Sequence, residues 1–141
     1  MSEEFDFEID RVARTITGRK AKRVILQFPE GLKRKAGDVA LSVSARVSAS
    51  IIVHGEPCFG ACDVPGSKAD LIVQFGHLPI PSLETPNSMM FIQASSSADP
   101  TPILEKVADR LPQRVGLLTT AQHIHMMVSM MDFLKAKGKE V

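Results

Sequence analysis

Residues 23–28 read Arg-Val-Ile-Leu-Gln-Phe, an apolar run too short for a core helix and without the apolar–polar alternation of a strand that has one wet face. Such a run predicts a strand covered on both faces, the environment of a parallel sheet. Four more short runs follow: 50–54 (SIIVH), 69–75 (ADLIVQF), 88–93 (SMMFIQ) and 114–118 (RVGLL). Helical spacing fills the gaps. Phe5, Ile9, Val12, Ala13 and Ile16 predict an amphipathic helix over 5–17, and Leu32, Ala36, Val39, Ala40, Val43 and Val47 another over 30–47. Further helices are expected at about 102–110 and 121–137. Strands alternating with helices give an α/β fold with right-handed crossovers. The expectation is one three-layer domain over residues 1–141, with a mainly parallel sheet of four to five strands and helices on both faces. Its 141 residues are a common size for one domain. Near the end, LKAKGKEV carries a candidate helix C-cap at Gly138 and then residues that should open another strand. This predicts that a longer protein has been cut, or is naturally split, at a domain junction, the plain alternative being a short, frayed C-terminal tail.

Charge and composition remove several function classes. With 17 basic and 16 acidic residues the formal net charge is +1, so the large basic field of a generic nucleic-acid or anionic-membrane binder is missing. Trp and Tyr are absent and the Phe residues are scattered, which leaves no platform for stacking bases. No apolar run approaches the roughly 20 residues of a membrane-spanning helix, and the start, MSEEFDFEID, is acidic where a secretory signal is basic. A cytoplasmic protein is expected. In a reducing compartment, two cysteines point to metal or redox chemistry before a structural disulfide.

Ligands of parallel sheets bind beyond the carboxyl ends of the strands. The first three strands are followed there by Pro29-Glu30-Gly31, by Gly55-Glu56-Pro57-Cys58 and by Gly76-His77, so these loops should share one edge of the sheet. The segment Gly55-Glu56-Pro57-Cys58-Phe59-Gly60-Ala61-Cys62-Asp63 is the strongest chemical signal. If it formed one helical turn, its two thiols, four residues apart, would face one metal. Two cysteines complete neither a tetrahedral zinc site nor a cubane cluster. The plain alternative is one buried Cys used for packing and one exposed bystander. A reversible Cys58–Cys62 redox pair is a third reading.

Taken together, QFPEGL at 27–32, HGEPCFGACDVP at 54–65, ADLIVQFGHLPIP at 69–81 and, more weakly, VGLLTTAQH at 115–123 resemble the diphthamide-synthesis family, the 2-(3-amino-3-carboxypropyl)histidine synthases. The resemblance implies a non-standard radical enzyme with a 4Fe–4S cluster held by three cysteines, one from each of three similar α/β domains. The fourth iron is left for S-adenosylmethionine. A 3-amino-3-carboxypropyl radical then attaches to a histidine of translation elongation factor 2. Cys62 matches the first cluster ligand, while Cys58 stands where relatives vary more freely. Only the first of the three domains is matched, so the isolated chain should be inactive. The missing thiolates would come from the remaining domains or from partner subunits, in a dimer. Gln27 and Glu30 become candidates for contacting S-adenosylmethionine, and Gly55, Gly60, Gly76 and His77 for shaping its pocket. A non-catalytic scaffold or electron-delivery subunit of the same pathway is the alternative. Elsewhere, His123 and His125 lie two apart on a predicted helix, on different faces, which argues against a shared metal. Met126, Met127, Met130 and Met131 read as a core stripe and domain-contact face, and the basic stretch 19–23 as a solvated loop.

Overall fold

The computed structural model describes residues 5–66 and 68–141. In chain order the elements are β1 (Phe5–Asp6), α1 (Ile9–Gly18), β2 (Arg23–Gln27), α2 (Ala36–Ser44), β3 (Ser50–Val53), β4 (Leu71–Phe75), β5 (Met89–Ile92), β6 (Ser95–Ser96), α3 (Thr101–Val107) and α4 (Met127–Ala136). Chain contacts divide them into two compact units, Phe7–Ala94 and Phe5–Asp6 together with Ser95–Val141.

The first unit is an α/β sheet of four strands in the order β3-β2-β4-β5. All three pairings are parallel, with Leu26 opposite Val53, Gln27 opposite Gln74 and Phe75 opposite Ile92. The non-alternating runs behave as expected in the centre: every residue of β4 is buried, and in β2 all but Arg23. Ile25, Ile72 and Met89 pack together on one face. Val24, Leu26, Leu71 and Val73, one residue out of phase, are fully buried on the other. The expectation of a doubly buried β3 is not met. It lies at one edge of the sheet and, unlike β5 at the other edge, leaves Ser50 and Val53 exposed and Ile51 and Ile52 half-buried.

Helix boundaries also move. The first helix begins at Ile9 because Glu8, at φ 47°, breaks the chain direction, and Phe5–Asp6 pairs instead with Ser95–Ser96 in an antiparallel ribbon. The second opens as a 3-10 turn over Glu30–Lys35 before becoming α-helical at Ala36. Among the described residues of this unit, only the β2–β3 crossover carries a helix; the β3–β4 and β4–β5 connections show none. Pro57 and Pro65 in the first of these, and Pro79, Pro81 and Pro86 in the second, remove backbone donors that a crossover helix would need.

Asp70 fastens the lower edge of the sheet. Its carboxylate accepts the backbone N–H groups of Lys22 and Arg23 at 2.7 and 2.8 Å. These bonds, from Arg23 first, hold its pKa below the ordinary carboxylate value. A depressed folded-state pKa gives stability that is present above the unfolded pKa and lost as pH falls through the folded one. Denaturant midpoints measured from neutral pH down to about pH 3 should therefore fall less steeply for Asp70→Asn than for the parent chain. An identical acid limb would remove this role.

In the second unit, the 3-10 turn Ala121–Met126 packs against β6 and leads into α4, where Leu134 is fully buried. The expected strand over 114–118 is reduced to one parallel bridge between Arg114 and Glu140, with Val115 N–H donating to Glu140 O at 2.8 Å. Beyond that bridge no ladder partner is found for this segment among the described residues, and Leu118 stands free in solvent. The residues after Gly138 do pair as a strand start should, but with Arg114. The methionine stripe is only half-buried; Leu134 takes the core position of this helix.

Candidate functional site

Parallel pairing puts the carboxyl ends of β3, β2 and β4 side by side, and with them the three loops expected to converge. The turn between Cys58 and Val64 is built from local hydrogen bonds rather than a helix. Asp63 N–H donates to Gly60 O at 3.1 Å, and Val64 N–H to Cys62 O at 3.0 Å. From the other side the Asp63 carboxylate accepts the N–H groups of Phe59 and Gly60, at 2.5 and 3.0 Å. This is the local Asx-type competition with helix that Asp favours, and it explains why C-x3-C does not form a helical turn here.

The two thiols consequently part. Cys58 is buried and Cys62 exposed, and both are free. The Cys58 sulfur lies 3.8 Å from Gly60 O and 3.8 Å from His77 Nδ1. Burial, ahead of any charge, pushes the Cys58 thiol pKa up, so this sulfur stays protonated at neutral pH. Burial likewise lowers the pKa of His77, with Asp63 opposing, so that the ring beside Cys58 is neutral. Cys62 sits over Gly60, where an added Cβ would lie 3.5 Å from its sulfur. Glycine at position 60 keeps that side of the thiol clear.

Beneath the turn lies a pair of glutamines, each essentially inaccessible (Gln27 1%, Gln74 0% exposed) and opposite each other on β2 and β4. Gln74 Nε2 shares its two hydrogens among Gln27 Oε1 at 2.8 Å, Asp63 O at 3.1 Å and Gly60 O at 3.2 Å, with Cys58 Sγ at 3.7 Å. Gln27 Nε2 donates to the same Asp63 carbonyl at 2.9 Å. Gln74 Oε1 is buried without a partner. A buried orphan acceptor costs about 1–3 kcal/mol, so the amide is held in this orientation by its donors alone. Turning it over would set Oε1 against three other oxygens. Gln27 is thus not placed to meet a cofactor directly; both ends of its amide are engaged inside the chain.

Of the other expected residues, Glu30 is exposed and paired with Lys33 Nζ at 2.5 Å, and the same Nζ donates to Gly55 O at 3.1 Å. Gly55 has open space around it. Gly76 is buried at φ 77°, a left-handed turn that redirects the chain from β4 towards His77 while its N–H donates to Ile92 O at 2.8 Å. Gly76→Ala should cost about 1–2 kcal/mol, read as a lowered denaturant midpoint, because a side chain at this φ meets the following carbonyl. An unchanged midpoint would contradict the strained turn. Gln74 and Asp63 were missed by reading the motifs singly. The signal in the sequence is a repeated Gln-Phe at the carboxyl ends of two apolar runs, Gln27-Phe28 and Gln74-Phe75.

Fold and site together define a parallel α/β domain that presents one accessible thiol, over a buried amide pair, at the carboxyl edge of its sheet. The chain belongs to the diphthamide synthesis protein family, which matches residues 28–141. It is 34% identical over 131 residues to a 2-(3-amino-3-carboxypropyl)histidine synthase of Pyrococcus horikoshii, covering 86% of this chain and 37% of that protein. It is 28% identical over 148 residues to subunit 1 of the Schizosaccharomyces pombe synthase, covering 99% of this chain and 34% of the relative. The crystal structure of Dph2 from Pyrococcus horikoshii with a 4Fe–4S cluster superposes with a TM-score of 0.80 at 29% identity, over 96% of this chain and 42% of that one. The chain therefore spans about a third of the length of these curated relatives.

Proposed function

We propose that this chain is the first of three similar α/β domains of a 2-(3-amino-3-carboxypropyl)histidine synthase, and that Cys62 supplies one thiolate to a 4Fe–4S cluster. The observation that carries the reading is the separation of the two cysteines: one accessible thiol at the sheet edge, free and cleared by Gly60, and one buried thiol kept protonated. The described residues gather no group of three His, Cys, Asp or Glu that could hold a metal, so the remaining thiolates would come from further domains or from a partner subunit in a dimer. When bound, the cluster would supply the electron and the open iron site that cleave S-adenosylmethionine for transfer of the 3-amino-3-carboxypropyl group to a histidine of elongation factor 2. The residues of this chain would hold one corner of the cluster. Glu30, Gly55, Gly60, Gly76 and His77 would border the bound S-adenosylmethionine. Among the described residues no helix is long and apolar enough to cross a membrane, and the reaction would take place in the cytoplasm with the elongation factor.

Anaerobic reconstitution with iron and sulfide, followed by absorption and EPR spectra, tests the proposal on the chain alone and on the chain combined with the missing domains or partner. The expected result is a 4Fe–4S signal only in the complete assembly. A full cluster on the isolated chain, or none in any assembly, would overturn it.

A further inference from the structure

Gly60 and Asp63 flank Cys62, at two residues before and one after. Their carbonyl oxygens both turn inward onto Gln74 Nε2, at 3.2 and 3.1 Å, and Gln27 Nε2 takes the Asp63 carbonyl as well at 2.9 Å. The short arc between the two gripped carbonyls carries three side chains: Ala61, which is buried, Cys62, which is exposed, and Asp63, whose carboxylate is tied back to the Phe59 and Gly60 N–H groups. Gripping both ends of so short an arc sets which way each of its side chains faces. The amide that does so is wholly buried and leaves its own Oε1 without a partner. A side chain present only to fill the core would be apolar; an orphaned buried acceptor in a native structure calls for a reason beyond packing. Outer-shell groups that orient ligands are that kind of reason.

We propose that Gln74, braced by Gln27, is a positioning residue for the cluster: the paired amides hold the backbone on both sides of Cys62 and so fix where its thiolate points. This rests on the reading of Cys62 as a cluster ligand. Neither glutamine touches the cluster or substrate. Both act through the turn, Gln74 more than Gln27 because it carries two of the three bonds to flanking carbonyls.

The test compares Gln74→Met, which keeps length without a donor, with Gln27→Met and with Ile72→Val, a core change two residues before Gln74 on the same strand that lowers stability without removing a donor to the carbonyls. In the chain without cluster, amide hydrogen exchange at Asp63 and Val64 should quicken by about tenfold or more in Gln74→Met and less in Gln27→Met, while Val24 and Val73 in the strands hold their rates. In the complete assembly, cluster occupancy should fall by about 10–100-fold in Gln74→Met, or the EPR line shape of the retained cluster should change, with Gln27→Met intermediate. Ile72→Val should leave both readouts at the parent values. Unchanged exchange and an unchanged EPR signal in a folded Gln74→Met would overturn the proposal, as would equal changes in Ile72→Val. If Gln74→Met fails to fold, Gln27→Met decides by the same two readouts. Cys62→Ala separates the premise from the inference: a cluster that survives it removes the ligand reading itself, whereas loss in Cys62→Ala beside an indifferent Gln74→Met removes only the positioning role.

Discussion

Cys62→Ala, in the complete assembly, should lower cluster-bound iron and S-adenosylmethionine cleavage by more than about 100-fold, since loss of an outer-shell partner alone costs about 10–100-fold at metal sites. Cys58→Ala should leave both within about twofold and appear instead as about 1–2 kcal/mol of lost stability, the cost of removing one buried atom of this size. The asymmetry follows from where the turn sends each sulfur. Cys58 is enclosed by Gln74, the Gly60 carbonyl and His77, and its thiol is protonated. Only a thiolate binds iron or attacks a disulfide. Deprotonating Cys58 would place a charge among buried groups that do not compensate it, whereas Cys62 lies exposed at the surface of the turn. A redox pair would make the two substitutions equally damaging. A scaffold subunit would make Cys62→Ala nearly silent. Iron analysis of both variants beside the parent distinguishes all three.

The parts of this arrangement that could be read from the sequence are those set by local pattern. Non-alternating apolar runs marked the central strands β2 and β4 because burial on both faces removes the need for polar positions. Strand order made the loops at Glu30, Gly55 and Gly76 neighbours once the pairing was parallel. Local pattern could not reveal that β3 is an edge strand, because Ile51 and Ile52 look alike whether one neighbour or two lie beside them. It could not supply a ladder partner for 114–118, since strand formation depends on what lies opposite. The helix starts at Ile9 and not at Phe5 for a related reason: Phe5 fits the helical spacing, but its backbone pairs with Ser96, ninety-one positions away by number. At the site, the chemistry of the cysteine loop was legible and its support was not. Gln27 reads as a polar residue at the end of a strand, free to meet a ligand. Only the register that sets it opposite Gln74 turns both amides inward under Asp63.

Phe75→Ala should lower the unfolding free energy by about 3–5 kcal/mol, a large share of the roughly 5–15 kcal/mol that holds a typical domain together. Successive residues of a strand face opposite ways, so the two Gln-Phe endings set amides on one face of the sheet and rings on the other. The Phe75 ring is fully buried and stacked on Phe28 at 4.5 Å and 5°, and Phe7 meets the two rings edge-on at 5.7 and 6.3 Å. Truncation removes one member of a three-ring cluster and leaves a cavity that two rigid strand ends cannot close. Phe75→Leu keeps most of the apolar volume and should cost less than half as much. Denaturant titration of the three proteins checks the order, and equal midpoints would show that the stack is not what ties β2 to β4 at this edge. Because Phe75 lies between Gln74 and the Gly76 turn, the loss should also reach the chemistry. Exchange of the Asp63 amide should quicken in Phe75→Ala although no group within the turn has changed, because the glutamines hold the turn only as firmly as the rings hold the strand ends that carry them.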